Sequence, residues 1–180
     1  MELQEYIDGL DFVSSEQAIW EPGKVGFEIR AAFTQSLPPI STVTSVRCVL
    51  IQSDNIMTVT DPERIHVLPG GRIEEGESYM ETLRREIGEE TGYTIANSRM
   101  IGILLFKHLF SIPESWNPKH YPYFVNLVFC ADAIDYDASL LEDDGYEIES
   151  NFLSFKAAKA KVSGPLNHEF IDYANSVSNK

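Results

Sequence analysis

The segment from Pro69 to Gly92 is punctuated more tightly than any other part of the chain, and it dictates a loop followed by a helix of fixed length. Pro69-Gly70-Gly71 stops regular structure, because proline lacks an N–H and fixes φ while glycine admits conformations closed to other residues. Ser78 and Glu81 then carry the S-x-x-E spacing in which a hydroxyl and a carboxylate each satisfy an orphan N–H at a helix start. Gly92 stands where a helix ends on a left-handed residue. The spacing predicts a helix over 79–91.

Strand-like runs surround this piece. Residues 43–52 (VTSVRCVLIQ) are strongly β-branched, Ser53-Asp54-Asn55 is turn chemistry, and residues 56–60 resume the strand pattern, which predicts a hairpin. A short apolar piece at 65–68 precedes the Pro-Gly-Gly stop. Further strands are expected at 99–109, 121–133 and 151–155, and helical pieces near 156–162 and 168–177. Strands interrupted by helices, without repeats, indicate a layered α/β or α+β domain. Ahead of it, residues 1–40 read as an extension closed by Leu37-Pro38-Pro39, where two prolines forbid helix. Leu3, Tyr6, Ile7 and Leu10 have amphipathic helix spacing. Val25, Phe27, Ile29, Ala31 and Phe33 alternate as a strand that joins either the sheet or a partner's sheet, making a homodimer one option. The division expected is therefore an extension over 1–40 and a domain over 41–180.

The 180 residues suffice for a single core, and 28 acidic against 14 basic residues leave a net charge of −14. That balance argues against a protein that grips nucleic acid, which draws affinity from Lys and Arg on phosphates. Cys48 and Cys130 lie far apart inside apolar runs and read as buried hydrophobes, which suits a reducing cytoplasm. No signal-like start and no apolar stretch near the roughly 18 residues of a membrane span is present. The charge is concentrated: residues 71–93 hold seven acids against three bases, and residues 132–149 hold eight acids and no base.

On the helix 79–91, Glu86, Glu89 and Glu90 fall at i, i+3 and i+4 and form one acidic stripe. Met80, Leu83 and Ile87 form an apolar stripe beside it, so the acids border the core-facing seam. Carboxylates held this close repel and raise one another's pKa. Arg85 cannot by itself neutralise these three and Glu77. A hard divalent cation can, since Mg²⁺ and Mn²⁺ prefer oxygen ligands. Gly70-Gly71 lets backbone approach a ligand closely and offers carbonyl oxygens.

Gly71, Glu77, Arg85-Glu86-Ile87, Glu89-Glu90 and Gly92, with Tyr93 after them, are similar to the Nudix box, the signature of Nudix hydrolases. Seven of these residues, Ile87 and Tyr93 set aside, at fixed spacing and at roughly one in twenty each, coincide by chance on the order of once in 10⁹ windows. Tyr93 departs from the aliphatic residue usual there. The resemblance implies an α/β/α sandwich with a mixed β-sheet and the family's loop-helix-loop motif. It also implies Mg²⁺-dependent cleavage of a phosphoanhydride in a nucleoside diphosphate linked to a group X, or in a nucleoside triphosphate, with Mn²⁺ as a substitute. Carried over by position, Glu86, Glu89 and Glu90 are metal ligands, the Gly70 carbonyl a further ligand, Glu77 an outer or water-mediated contributor, and Arg85 the residue that orients the glutamates. The partner implied is a small nucleotide. A competing class is a nucleotide sensor on the same fold that binds without turnover.

The resemblance also implies a water-activating base outside the box; the acidic segment reads either as a solvated loop or as its source, with Glu147 ahead of Glu149 because both precede a strand. Arg72 is either a phosphate contact or a solvated arginine, and Arg47, interrupting an apolar strand, either a phosphate contact or half of an internal ion pair. Trp116 to Tyr123 is aromatic- and proline-rich, and reads either as a lid over a base, with Tyr123 in contact with substrate, or as a loop packed on itself. The four histidines, His66, His108, His120 and His168, lack metal spacing.

Overall fold

The computed structural model describes residues 2–20, 25–110, 121–142 and 149–178. Helix α1 (Leu3–Asp8) leads into strands β1 (Phe12–Trp20) and β2 (Val25–Phe33). Strands β3 (Val43–Gln52), β4 (Asn55–Thr60) and β5 (Ile65–His66) follow, then helix α2 (Tyr79–Thr91). Strands β6 (Tyr93–His108), β7 (Tyr123–Tyr136) and β8 (Glu149–Ser154) and helices α3 (Phe155–Lys161) and α4 (Pro165–Ser178) complete the described chain. The strands form one sheet in the order β1-β2-β6-β7-β3-β4-β5, with β8 on the other side of β4. Pairing of β3 with β7 is parallel and the rest antiparallel, so the sheet is mixed.

Both faces of this sheet are buried, which explains why β3 reads as a continuous apolar run rather than an alternating one. Val46, Cys48 and Leu50 point to one face, where they pack with Leu83 and Ile87 of α2 and Tyr6 of α1. Val49 and Ile51 point to the other, where Leu166, Phe170 and Ile171 of α4 cover them. Helices on both faces of a mixed sheet make the α/β sandwich expected from the sequence. The two cysteines are buried and unbridged.

Helix α2 has the ends its sequence dictates. Glu81 N–H donates to the Ser78 hydroxyl, the Ser78 N–H donates back to the Glu81 carboxylate at 2.8 Å, and Gly92 closes the helix at φ 73°. Elsewhere the structure differs from expectation in instructive ways. Strand β6 starts at Tyr93, not 99: the polar Asn97-Ser98 pair interrupts the pattern, and there the ladder slips between Ala96 and Arg99 while Asn97 takes φ 51°. Strand β1 was not anticipated, because two of its inward positions are Ser14 and Glu16 instead of apolar residues. β2 does not offer an edge to a partner's sheet: β1 and β6 occupy its two edges within the chain. Among the described residues, no helix is long and apolar enough to cross a membrane.

The N-terminal hairpin is thus part of the packed core, with Phe27 fully buried and edge-on to Phe106 and Phe124. Phe27→Ala is expected to cost about 3–5 kcal/mol of global stability in denaturant unfolding. An unchanged unfolding midpoint would show that residues 1–40 fold apart from the rest.

Candidate active site

The loop after β5 is laced along an edge of β3. Cys48 N–H donates to the Pro69 carbonyl at 2.8 Å, Val46 N–H to the Gly71 carbonyl at 3.0 Å, and Ile73 N–H to the Thr44 carbonyl at 3.1 Å. Glycine is required twice in this lacing. Gly70 has φ 129°, and a Cβ there would lie 2.4 Å from the Val46 carbonyl oxygen. At Gly71 a Cβ would lie 2.3 Å from Glu86 Oε2, so the missing side chain leaves room for that carboxylate. The loop and the helix that follows it are therefore held against one another and against the sheet.

At their junction Arg85 directs all of its donor groups into the site. Nε donates to Glu77 Oε1 at 2.7 Å and Nη2 to Glu77 Oε2 at 3.0 Å, a bidentate pair. Nη1 donates to Glu86 Oε1 and to Glu89 Oε2, each at 2.9 Å, and Nη2 also reaches the Arg72 carbonyl at 3.1 Å. A guanidinium has five N–H groups, and these five contacts match that number. Glu77 is fixed in turn by the Thr82 hydroxyl at 2.7 Å and the Glu74 N–H at 3.0 Å. Glu90 faces the loop and accepts the Gly70 N–H at 2.9 Å, while Arg47 donates to the Gly70 carbonyl.

The electrostatics follow from these contacts. Hydrogen bonds from Arg85, then from Glu74 and Thr82, hold the Glu77 carboxyl down at about 2. Arg85 is pushed above its ordinary value, first by Glu77. Burial pushes the Glu86 carboxyl up, against the opposing charge of Arg85. A half-buried carboxylate that keeps a raised pKa beside one arginine is short of positive charge.

The expected residues are therefore largely brought together, with distinctions the sequence did not make. Glu77, Glu86 and Glu89 meet at Arg85, and Glu90 and Arg47 meet at Gly70. Arg47 engages the loop carbonyl directly, and that contact takes up part of the Gly70 oxygen expected to serve a metal. Arg72 has an exposed side chain. Among the described residues, no three acidic, histidine or cysteine side chains already converge as a metal cluster, and Arg85 Nη1 bridges Glu86 and Glu89. The donor set itself is all oxygen, and a cationic nitrogen already sits 2.9 Å from two of its carboxylates, so the chemistry suits a hard cation.

Tyr123 is not brought to this site. It opens β7 and packs on the core face shared with α1 and α2. Glu147 and residues 116–120 of the aromatic segment lie outside the described residues. Glu149 opens β8, exposed and opposite Thr60. The acidic segment does reach the helix: Asp137 N–H donates to the Gly92 carbonyl and Glu142 N–H to the Glu89 carbonyl.

A cavity of about 390 Å³ adjoins Arg47 and Glu90. Its lining includes residues that sequence reasoning missed, notably Glu16, Trp20, Asp61 and Arg64. Buried Asp61 shapes the loop after β4 by accepting the Glu63 and Arg64 N–H groups at 2.7 and 2.8 Å. His66 also lines the cavity, and burial pushes it down to about 4, so it is neutral near pH 7. Residues 12–20 carry no apolar alternation that could have signalled the β1 members; the alternation there is in burial alone.

Residues 42–173 match the NUDIX domain model. A 60-residue stretch is 40% identical to the uncharacterized Nudix hydrolase YvcI of Bacillus subtilis, covering 33% of this chain and 38% of that protein. The match thus spans well under half the length of that relative. Among solved structures, a NUDIX hydrolase from Nitrosomonas europaea superposes with a TM-score of 0.56 at 20% identity, over 76% of this chain and 90% of that one. The Bacillus subtilis pyrophosphohydrolase BsRppH superposes with a TM-score of 0.54 at 14% identity, over 84% and 88% of the two chains. These likenesses support the fold.

The Glu77–Arg85 pair yields a pH prediction. Its carboxyl is depressed in the folded state relative to an ordinary 4.5, so the stability it contributes is present above about 4.5 and lost as pH falls toward 2. The melting-temperature gap between wild type and Glu77→Gln is expected to be widest above pH 5 and to close on acidification. A gap independent of pH from 6 to 3 would contradict this.

Proposed function

The chain belongs to the Nudix hydrolase family, enzymes that act on phosphoanhydrides, and on that footing we propose that it is a Mg²⁺-dependent pyrophosphohydrolase. Its substrate is a nucleoside diphosphate linked to a group X, or a nucleoside triphosphate. The observation that carries the reading is the single guanidinium, Arg85, that gathers Glu77, Glu86 and Glu89 beside a glycine loop tied to Glu90.

Nudix hydrolases generally use divalent metal ions. In this chain Glu86, Glu89 and Glu90, with the Gly70 carbonyl, are the residues that would hold Mg²⁺ or, as a substitute, Mn²⁺. When bound, the ion supplies neutralisation of the phosphate oxygens and of the charge that develops as the anhydride breaks. The protein's own residues do the positioning. Glu77 spends both oxygens on Arg85, which makes it the anchor of the arginine and only an outer contributor to the ion. Arg85 fixes the spacing of Glu86 and Glu89 by donating to both from one nitrogen. Arg47 and Glu90 hold the Gly70 peptide from its two ends, which sets the loop height over the helix. Arg72, exposed just beyond, supplies charge to a phosphate. Glu147 is the base that takes the proton of the attacking water, with Glu149 second to it.

The location is cytoplasmic, and the net charge of −14 sets the ion apart as the feature that lets an acidic chain accept a polyanion. The test is a panel of nucleoside triphosphates and nucleoside diphosphate derivatives with Mg²⁺ and product identification. Phosphoanhydride cleavage is expected, and Glu89→Gln or Glu90→Gln is expected to lower kcat/KM by about 100-fold or more, roughly 3 kcal/mol of transition-state stabilisation. Tight nucleotide binding without turnover, or full activity in both variants, would overturn the reading. Near-normal turnover in both Glu147→Gln and Glu149→Gln would move the base elsewhere.

A further inference from the structure

The cavity beside Arg47 and Glu90 has a wall that comes from outside the family-matched residues 42–173. Glu16, Ala18 and Trp20 of β1 and Ile29 of β2 all line it. β1 alternates so that Glu16, Ala18 and Trp20 turn inward and stand half-buried, while Ser15, Gln17 and Ile19 are exposed. Two features fix this wall in place. Trp20 lies 4.6 Å from the fully buried Phe27 and 5.7 Å from Phe106 between ring centroids, so its ring is braced from behind. Glu16 abuts the start of α4 closely enough that a Cβ on Gly164 would lie 2.7 Å from its Oε2.

The lining is of two kinds. Half-buried Trp20 contributes aromatic surface, while Glu16 and Asn126 bring polar groups. Arg47 and Glu90 mark the end where the proposed phosphoanhydride site begins. A heterocyclic base has the matching form, with apolar faces for aromatic side chains and a hydrogen-bonding edge. At about 390 Å³ the space lies near the lower end of small-molecule sites, which span roughly 300–1,000 Å³. That volume suits one base with its sugar and is small for two nucleosides.

We propose that β1 is the base-recognition wall of this enzyme: the heterocyclic base of a mononucleoside substrate packs on Trp20 across Ala18, and its phosphates run toward Arg47 and Glu90. This rests on the pyrophosphohydrolase reading and adds to it a specificity element supplied by the N-terminal hairpin. Ala18 is the position that tests it best, since a larger side chain there fills the cavity without removing a core group.

Two measurements decide it. The first compares kcat/KM for nucleoside triphosphates with that for inorganic tripolyphosphate, which has the anhydride and no base. In Ala18→Leu, the ratio of nucleotide to tripolyphosphate activity is expected to fall about tenfold through KM. Trp20→Phe, which keeps an aromatic ring, is expected to lower it less. An unchanged ratio in Ala18→Leu overturns the proposal. The second uses the two tryptophans of the chain, Trp20 and Trp116. In a Trp116→Phe background with Mg²⁺, a non-hydrolysable ATP or GTP analogue is expected to shift Trp20 emission while tripolyphosphate leaves it unmoved. Emission indifferent to the nucleotides, or equally sensitive to tripolyphosphate, overturns the proposal even where a variant fails to fold. Absence of hydrolysis of every substrate by wild type would instead remove the enzymatic reading, and the emission titration would still decide the role of β1.

Discussion

The arrangement turns on one guanidinium. A helix that carries Glu86, Glu89 and Glu90 within one turn repels itself, and Glu86 is half-buried besides, so the fold needs positive charge at that spot before any ligand arrives. Arg85 supplies it with a rigid planar fork that a lysine could not reproduce. The fork is held by Glu77, which spends both oxygens on it and is held in turn by Thr82 and the Glu74 N–H. Charge, geometry and loop conformation are thereby tied together at a single side chain.

The sheet makes this possible by offering a free edge of β3 along residues 44–48. The loop 69–73 docks there through backbone hydrogen bonds; the missing side chain of Gly70 permits the approach to Val46, and that of Gly71 leaves room for the Glu86 carboxylate. The same loop carries the Gly70 peptide clasped by Arg47 and Glu90, one residue from the sheet and one from the helix. Elements distant in sequence thus meet at one residue.

The loop and helix were legible in the sequence because each boundary has a local chemical cause: Pro-Gly-Gly, the Ser78–Glu81 box and Gly92. The acidic stripe was legible for the same reason, since helix spacing follows from residue number alone. Less legible was the division of labour inside the stripe. That Glu77 serves Arg85, and that Arg47 reaches the Gly70 carbonyl, depends on docking the loop to β3, a long-range event with no spacing signature. β1 escaped notice because its inward face mixes Ser14 and Glu16 with Phe12, Ala18 and Trp20, polar positions that a fully buried strand would not tolerate and a cavity wall does. The early part of β6 was hidden by the bulge at Asn97 and Ser98.

The central claim is that these carboxylates, spaced by Arg85, form a divalent cation site. Electron paramagnetic resonance of Mn²⁺ titrated with the protein tests it directly, because the free-ion signal falls as the ion is bound. Wild type is expected to deplete that signal, and the double variant Glu86→Gln/Glu89→Gln to leave it near the protein-free level while melting cooperatively. Equal depletion by both proteins, or none by wild type, would contradict this.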